Sequence, residues 1–409
     1  MKSRNDSLPK QIFNFLSGFG VATTCLLLLF VLTWLSTLEQ PEKGLYEVQK
    51  RYYDAEAWYV IPDLPILPKI NGKSVCVPLP GAYVVSFVLF INLFLGGIIR
   101  IRKGWKKIGV IIAHFSMISL LVAGFVSHHY SKEGIMFVYE DDSSDFAQSY
   151  YDYTIEVSEI IDGQKTAPYV VDAKYLASLD PEDTRKFKFP ELPFDVDVSY
   201  WMRNSELIAA KGSQRGNFPV VDGLSLQWTD NAVMEEENAA GCFIDILPKE
   251  GSAGGSKLLL YGPHVDMVTA TVDGRVFGFN LVREVWPMPF SVRLDSSVGE
   301  YYPGTTKPSS FQSEITRFAD HTDGADEGEK NYTIKMNEPM RYNGYTLYQA
   351  RWSGETERAQ SGFAIVKNPS DQWPKYSIYM SIVGLTIHFG VMLGSYIMRS
   401  TSRSKKKAA

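Results

Sequence analysis

Long apolar stretches interrupt the chain at four places, over residues 21–38, 82–101, 108–128 and 376–398. A hydrocarbon core of ~30 Å takes ~20 apolar residues in a helix, so each stretch is long enough to cross a bilayer. Three come early and one late, and a polar segment over residues 131–373 separates them. That pattern predicts a membrane α-helical bundle of four transmembrane helices in a 3+1 order, with a large domain outside the bilayer.

Flanking Lys and Arg mark the cytoplasmic side of a membrane protein. The N-terminus carries Lys2, Arg4 and Lys10, and the tail carries Arg399, Arg403, Lys405, Lys406 and Lys407. Residues 100–107, between the second and third stretches, hold five Lys or Arg and no acid. Four crossings put all three segments on one side, so span count and charge bias agree. Both termini are expected in the cytoplasm and the large domain on the opposite face. Trp34, Tyr83, Tyr130, Trp373 and Tyr376 fall where an interfacial aromatic belt belongs. The first stretch is longer than a usual signal-peptide core, and residues 37–39 offer no small-x-small site, so it reads as an uncleaved anchor. The expected organisation is 1–39, N-terminus and first span; 40–80, an outer loop; 81–130, second span, basic loop and third span; 131–373, the outer domain; 374–409, last span and basic tail.

The outer domain reads as strands. Residues 153–157, 194–200 and 242–247 alternate apolar and polar residues in whole or in part. Asp273-Gly274 and Asn343-Gly344 separate pairs of apolar runs, and such dipeptides favour the type I′ turns of tight hairpins. A mostly-β, antiparallel extracytoplasmic domain is expected, with polar loops over 202–240 and 318–331 and a short flexible loop over 251–256. The net charge of −5 hides basic cytoplasmic fringes and acidic outer stretches such as Glu140-Asp141-Asp142. Acidic surface repels phosphates, which argues against nucleic acid as a partner. Three cysteines, Cys25, Cys76 and Cys242, are dispersed without C-x-x-C or C-x-x-C-H spacing, so the chain is neither a thioredoxin-type redox centre nor a c-type cytochrome. Cys76 and Cys242 both face an oxidising compartment, where either a disulfide or two separate thiols would stand.

Four histidines lie in or at the end of apolar stretches: His114 and His388 within them, His128 and His129 at the outer end of the third. Imidazole inside a bilayer marks a functional candidate, and neutral imidazole is a common axial ligand of haem iron. At 1.5 Å per residue His114 sits ~9 Å and His388 ~15 Å from the basic side, depths at which one cofactor could adjoin both. Met392 lies one turn from His388 and cannot be its trans ligand. His114, Leu121 and His128 share a helix face, which suits a relay across the bilayer; polar residues ending a span are the other reading of His128 and His129. A core histidine bonded to a neighbouring helix is the other reading of His114 and His388. His264 and His321 read as surface residues. The chain has no G-x-S-x-G, P-loop or H-E-x-x-H motif, and its apolar stretches hold no acid, which weakens a proton-driven transporter reading.

The layout and several segments resemble the ResB family of cytochrome c biogenesis proteins, also called CcsB. Within residues 334–349, Asn337, Pro339, Arg341, Tyr342, Gly344, Tyr345, Tyr348 and Gln349 follow a pattern like N-x-P-L-R-Y-x-G-Y-x-x-Y-Q. Lys106, Lys107 and Gly109 ahead of His114, residues 36–40 after the first span, and Lys367-Asn368-Pro369 before the last also fit. The length of the 39–80 loop and Tyr139-Glu140-Asp141-Asp142 after the third span depart from that pattern. The resemblance implies a bacterial inner-membrane protein with a periplasmic domain. It would be a non-catalytic or co-catalytic subunit of a haem lyase complex, and would move or present haem b for attachment to apocytochrome c without keeping it. The implied partner is a CcsA/ResC-like membrane protein, which would supply the Trp-rich haem-presenting motif; the eight tryptophans here include no Trp-Trp pair. Carried over by position, His114 resembles the third-span histidine of a transmembrane haem site, and His388 a last-span histidine. The competing readings are a membrane assembly factor whose histidines never touch haem, and a small-molecule transporter.

Overall fold

The structure is a computed structural model that describes residues 7–62, 69–70, 73–74, 78–101, 103–210, 218–264, 266–305, 308–319, 328–354 and 358–408. The chain forms two compact units, residues 1–131 with 368–409, and residues 132–367.

Among the described residues, four helices in the first unit are long and apolar enough to cross a membrane: Phe19–Lys43, Ala82–Ile99, Trp105–Tyr130 and Trp373–Thr401. The helix of the first span runs past the predicted apolar stretch, so Glu39 is helical and residues 40–43, expected as loop, are helical too. A short helix, Leu45–Tyr53, follows after Gly44. First and second spans pack through Leu32, Leu35, Val85 and Leu89, with Val48 and Tyr52 of the short helix closing the cluster. Asn92, buried in the second span, donates to the Leu16 carbonyl at 2.5 Å and the Gly18 carbonyl at 2.9 Å. Those carbonyls sit at the junction of helix Leu8–Leu16 with the first span, so one amide satisfies acceptors that a helix end leaves open.

Beyond Asn92 the second span widens into a π-helical turn, Leu93–Ile99, that includes Gly96 and Gly97. Third and fourth spans meet through small residues. A Cβ on Gly109 would lie 2.5 Å from the Gly384 carbonyl oxygen and 2.5 Å from the His388 backbone nitrogen. Ser377 donates to the Ser119 hydroxyl at 3.1 Å, and Ser370 to the Ala123 carbonyl at 2.9 Å. Small residues and hydroxyls are what membrane helices use where apolar burial gives no net drive to associate. The outward face of the fourth span is apolar, with Phe389, Leu393 and Tyr396 exposed, as suits contact with lipid.

The second unit is antiparallel β-structure. Its largest sheet has eleven strands and is built on two long ones, Ser143–Ile161 and Arg275–Tyr301, which pair with each other. Register shifts at Arg283/Val285 and Pro287/Val292 divide that pairing into two parts. One part covers a core with a four-stranded sheet, where Phe194, Phe277 and Phe279 are fully buried. The other part surrounds a second core that includes Phe290, Leu347 and Phe363. Lys132 and Lys367, the first and last residues of the unit, are neighbours across one strand pair.

Both predicted turns are present. Val272 pairs Arg275 around Asp273 (φ 52°) and Gly274 (φ 75°), and Tyr342 pairs Tyr345 around Asn343 (φ 47°) and Gly344 (φ 76°). Two positive φ angles in succession are the type I′ geometry. The expected polar loop over 202–240 is wrong in part: strands Ser205–Ala209 and Leu224–Trp228 pair there. Leu226 of that hairpin is buried with Met202, Phe243 and Leu259, apolar contacts that a mostly polar stretch concealed. Likewise the loop predicted over 318–331 is narrower, since strands Pro308–Ala319 and Lys330–Lys335 enter it from either side. Residues 251–256 do lie between two strands. Cys242 is free and fully buried, and burial pushes its thiol pKa up to about 12. Cys76 and His321 lie outside the described residues.

Candidate functional site

His114 occupies the third span one turn after Val110, and its Nδ1 lies 2.8 Å from the Val110 carbonyl oxygen. A carbonyl only accepts, so Nδ1 is the donor, and in the neutral form of the ring Nε2 then holds the lone pair. Metal-binding histidines commonly fix their tautomer in this way. The ring lies against the π-helical turn of the second span: a Cβ on Gly97 would stand 2.5 Å from His114 Cδ2. Glycine at 97 therefore makes room for the imidazole, and π-helical turns frequently accompany functional sites. The sequence signal for this contact was the Gly96-Gly97 pair, which periodicity alone does not connect to His114.

His388 is placed differently. Its Nδ1 is buried and has no hydrogen-bond partner, and its backbone abuts Gly109. Gly109 precedes His114 by five residues, so His388 lies ~8 Å nearer the basic end than His114 at 1.5 Å per residue. The depth order estimated from span lengths is thus reversed, because the fourth helix starts further out than its apolar stretch and continues to Ala408. Five residues also turn a helix by ~140°. The third span therefore presents Gly109 to the fourth span and His114 to the second, and the structure does not bring the two histidines together.

At the other end of the third span, His128 and His129 gather around Tyr83 of the second. The Tyr83 hydroxyl is 3.0 Å from His129 Nε2. The His128 ring centroid lies 5.8 Å from that of Tyr83 and 4.9 Å from that of His129. His128 also lines a cavity of about 550 Å³ between the first three spans, together with Tyr53, Tyr83, Phe87, Phe90 and Phe125. Leu121 lines it too, so the predicted Leu121–His128 face of the helix borders the cavity. Tyr83, expected only as a belt residue, is the hub of this cluster. His264 is exposed, as expected of a surface residue.

No group of three or more His, Cys, Asp or Glu that could hold a bare metal ion occurs among the described residues. A haem iron asks for one imidazole per face rather than a cluster, and His114 offers one ring, held at Nδ1 by the Val110 carbonyl and packed against Gly97. No curated protein matches the chain. Residues 254–393, from the outer domain into the fourth span, match the family model described as ResB-like family; the match includes His388, while His114, His128 and His129 precede it. Over that stretch, about a third of its length, the chain is similar to the ResB-like family, which is associated with cytochrome c biogenesis.

Proposed function

We propose that this protein is the haem-handling membrane subunit of a cytochrome c synthase, with His114 as an axial ligand to haem in transit. The observation that carries the reading is the Nδ1-to-carbonyl contact of His114, which leaves Nε2 free beside Gly97. Apolar walls would hold the macrocycle while the imidazole holds iron. His388, not brought to His114, would act at a separate point or serve packing, and the trans position on iron would be filled from outside this pair. The protein works with a CcsA/ResC-like membrane partner and delivers haem b to apocytochrome c at the periplasmic face of the bacterial inner membrane.

The test is haem content at constant protein level in the purified membrane complex. His114→Ala should weaken haem retention by at least about tenfold, the low end of what loss of even an outer-shell partner does at a metal site. Added imidazole should restore part of the Soret absorbance, because the shortened side chain leaves room for a free ligand. An unchanged spectrum at full occupancy would refute the ligand role. Co-purification with a CcsA-like protein tests the partner.

A further inference from the structure

The cavity between the first three spans is not accounted for by haem ligation at His114. Phe87, Phe90 and Phe125 give it aromatic walls, which suit a flat ring through offset or edge contacts. Its polar lining residues are Tyr53, Tyr83, Ser86 and His128, and the Tyr53 hydroxyl is already met by Ser36 at 3.0 Å and Thr33 at 3.3 Å. No hydrogen bond to His128 occurs among the described residues, so its ring nitrogens remain to serve a ligand; Tyr83 is set by His129 at 3.0 Å. The lining contains no Lys, Arg, Asp or Glu. That absence disfavours an anionic lipid headgroup or a haem with its two carboxylates, which need a cation or water near each charge. Phe87 and Phe125 are half exposed, so the cavity opens sideways to the bilayer. Its volume of about 550 Å³ is of the size that holds small organic ligands.

We propose that this cavity is a binding site for a membrane quinone: a neutral, planar ring whose carbonyl accepts a hydrogen bond from His128, with an isoprenoid tail leaving between the spans. The inference does not depend on the role proposed for His114.

The experiment measures saturable binding of a tritiated short-chain benzoquinone to the full-length protein in lipid nanodiscs, with haem content read on the same samples. Gly124 lines the cavity and a Cβ there meets nothing within 4 Å. Gly124→Phe should fill the space without disturbing the helix, and abolish saturable binding while haem content stays at the wild-type level. Loss of one neutral hydrogen bond, up to ~1.5 kcal/mol, predicts that His128→Ala weakens binding by up to about tenfold, with partial recovery in His128→Gln. His114→Ala should lose haem and keep quinone binding, which separates this site from the haem reading. Binding by the wild type no greater than by empty nanodiscs would overturn the proposal, leaving a lipid-filled crevice. So would unchanged binding in Gly124→Phe, and so would joint loss of haem and quinone in that variant, which would make the cavity part of the haem path.

Discussion

Glu39 is the acidic side chain that the first span carries into a buried position, with its residue only 2% exposed. It accepts a hydrogen bond from the Tyr52 hydroxyl at 2.7 Å and pairs with Arg51 at 3.3 Å, while Arg51 also reaches the Ile61 carbonyl. Burial, and then the bond to the carboxylate, hold the Tyr52 hydroxyl well above its usual pKa, so it remains a donor at neutral pH. These contacts fasten the short helix Leu45–Tyr53 to the end of the first span. Removing the carboxylate strands a buried hydroxyl and loosens an ion pair, a change of about 2 kcal/mol. Glu39→Ala should therefore lower the thermal midpoint of the solubilised protein, and Glu39→Gln, which still accepts from Tyr52, should lower it less. Equal midpoints for all three proteins would show that the cluster contributes nothing. The sequence placed Glu39 just outside an apolar run, and hydropathy could say no more, because the stabilising partners lie in a separate helix. His114 shows the same division. Its presence in a span was readable, whereas its tautomer and its recess at Gly97 depend on a rotamer and on a neighbouring helix.

Among elements, the third and fourth spans show how closely glycine controls approach. Gly109 and Gly384 face each other so tightly that a side chain at 109 would overlap the opposing backbone. Overpacking a fitted interface costs ~1–3 kcal/mol, and here the strain falls on backbone that cannot rotate away. Gly109→Leu should push the spans apart around His388. Cysteines at 119 and 377, where the serine hydroxyls are 3.1 Å apart, would report it. In a background lacking Cys25, Cys76 and Cys242, the Ser119→Cys/Ser377→Cys pair should oxidise to a disulfide readily, and addition of Gly109→Leu should suppress that bond. Persistence of the cross-link at full yield would mean that the helices absorb the side chain without separating. Turns and spans were the most legible elements, because Asn343-Gly344 needs two positive φ angles and ~20 apolar residues need lipid. The hairpin of Ser205–Ala209 with Leu224–Trp228 was not legible, since each strand is only five residues long and Leu226 is the one apolar side chain they bury.

At the scale of the whole molecule, the chain leaves the third span at Tyr130, begins its first long strand at Lys132, and returns through Lys367 to a fourth span that starts at Trp373. Because Lys132 and Lys367 are adjacent across one strand pair, the β-unit begins and ends at one place and interrupts the bundle without separating its third and fourth helices. Asn368 donates to the Ser127 hydroxyl at 3.0 Å, which ties the start of the last span to the end of the third. An insertion of this kind demands that the third span end, and the fourth begin, on the same side of the membrane. Lys103, Lys106 and Lys107 precede the third span, and Lys405, Lys406 and Lys407 close the chain. The charge rule therefore predicts both segments in the cytoplasm and the β-unit on the far side. Alkaline phosphatase, active only where disulfides form, should then be active when fused at residue 250 and inactive when fused at the C-terminus; a cytoplasmic reporter should give the opposite pair. An active phosphatase at the C-terminus would mean either an odd number of crossings or an inverted orientation, and either would remove the arrangement on which the proposed delivery of haem to the outer face depends.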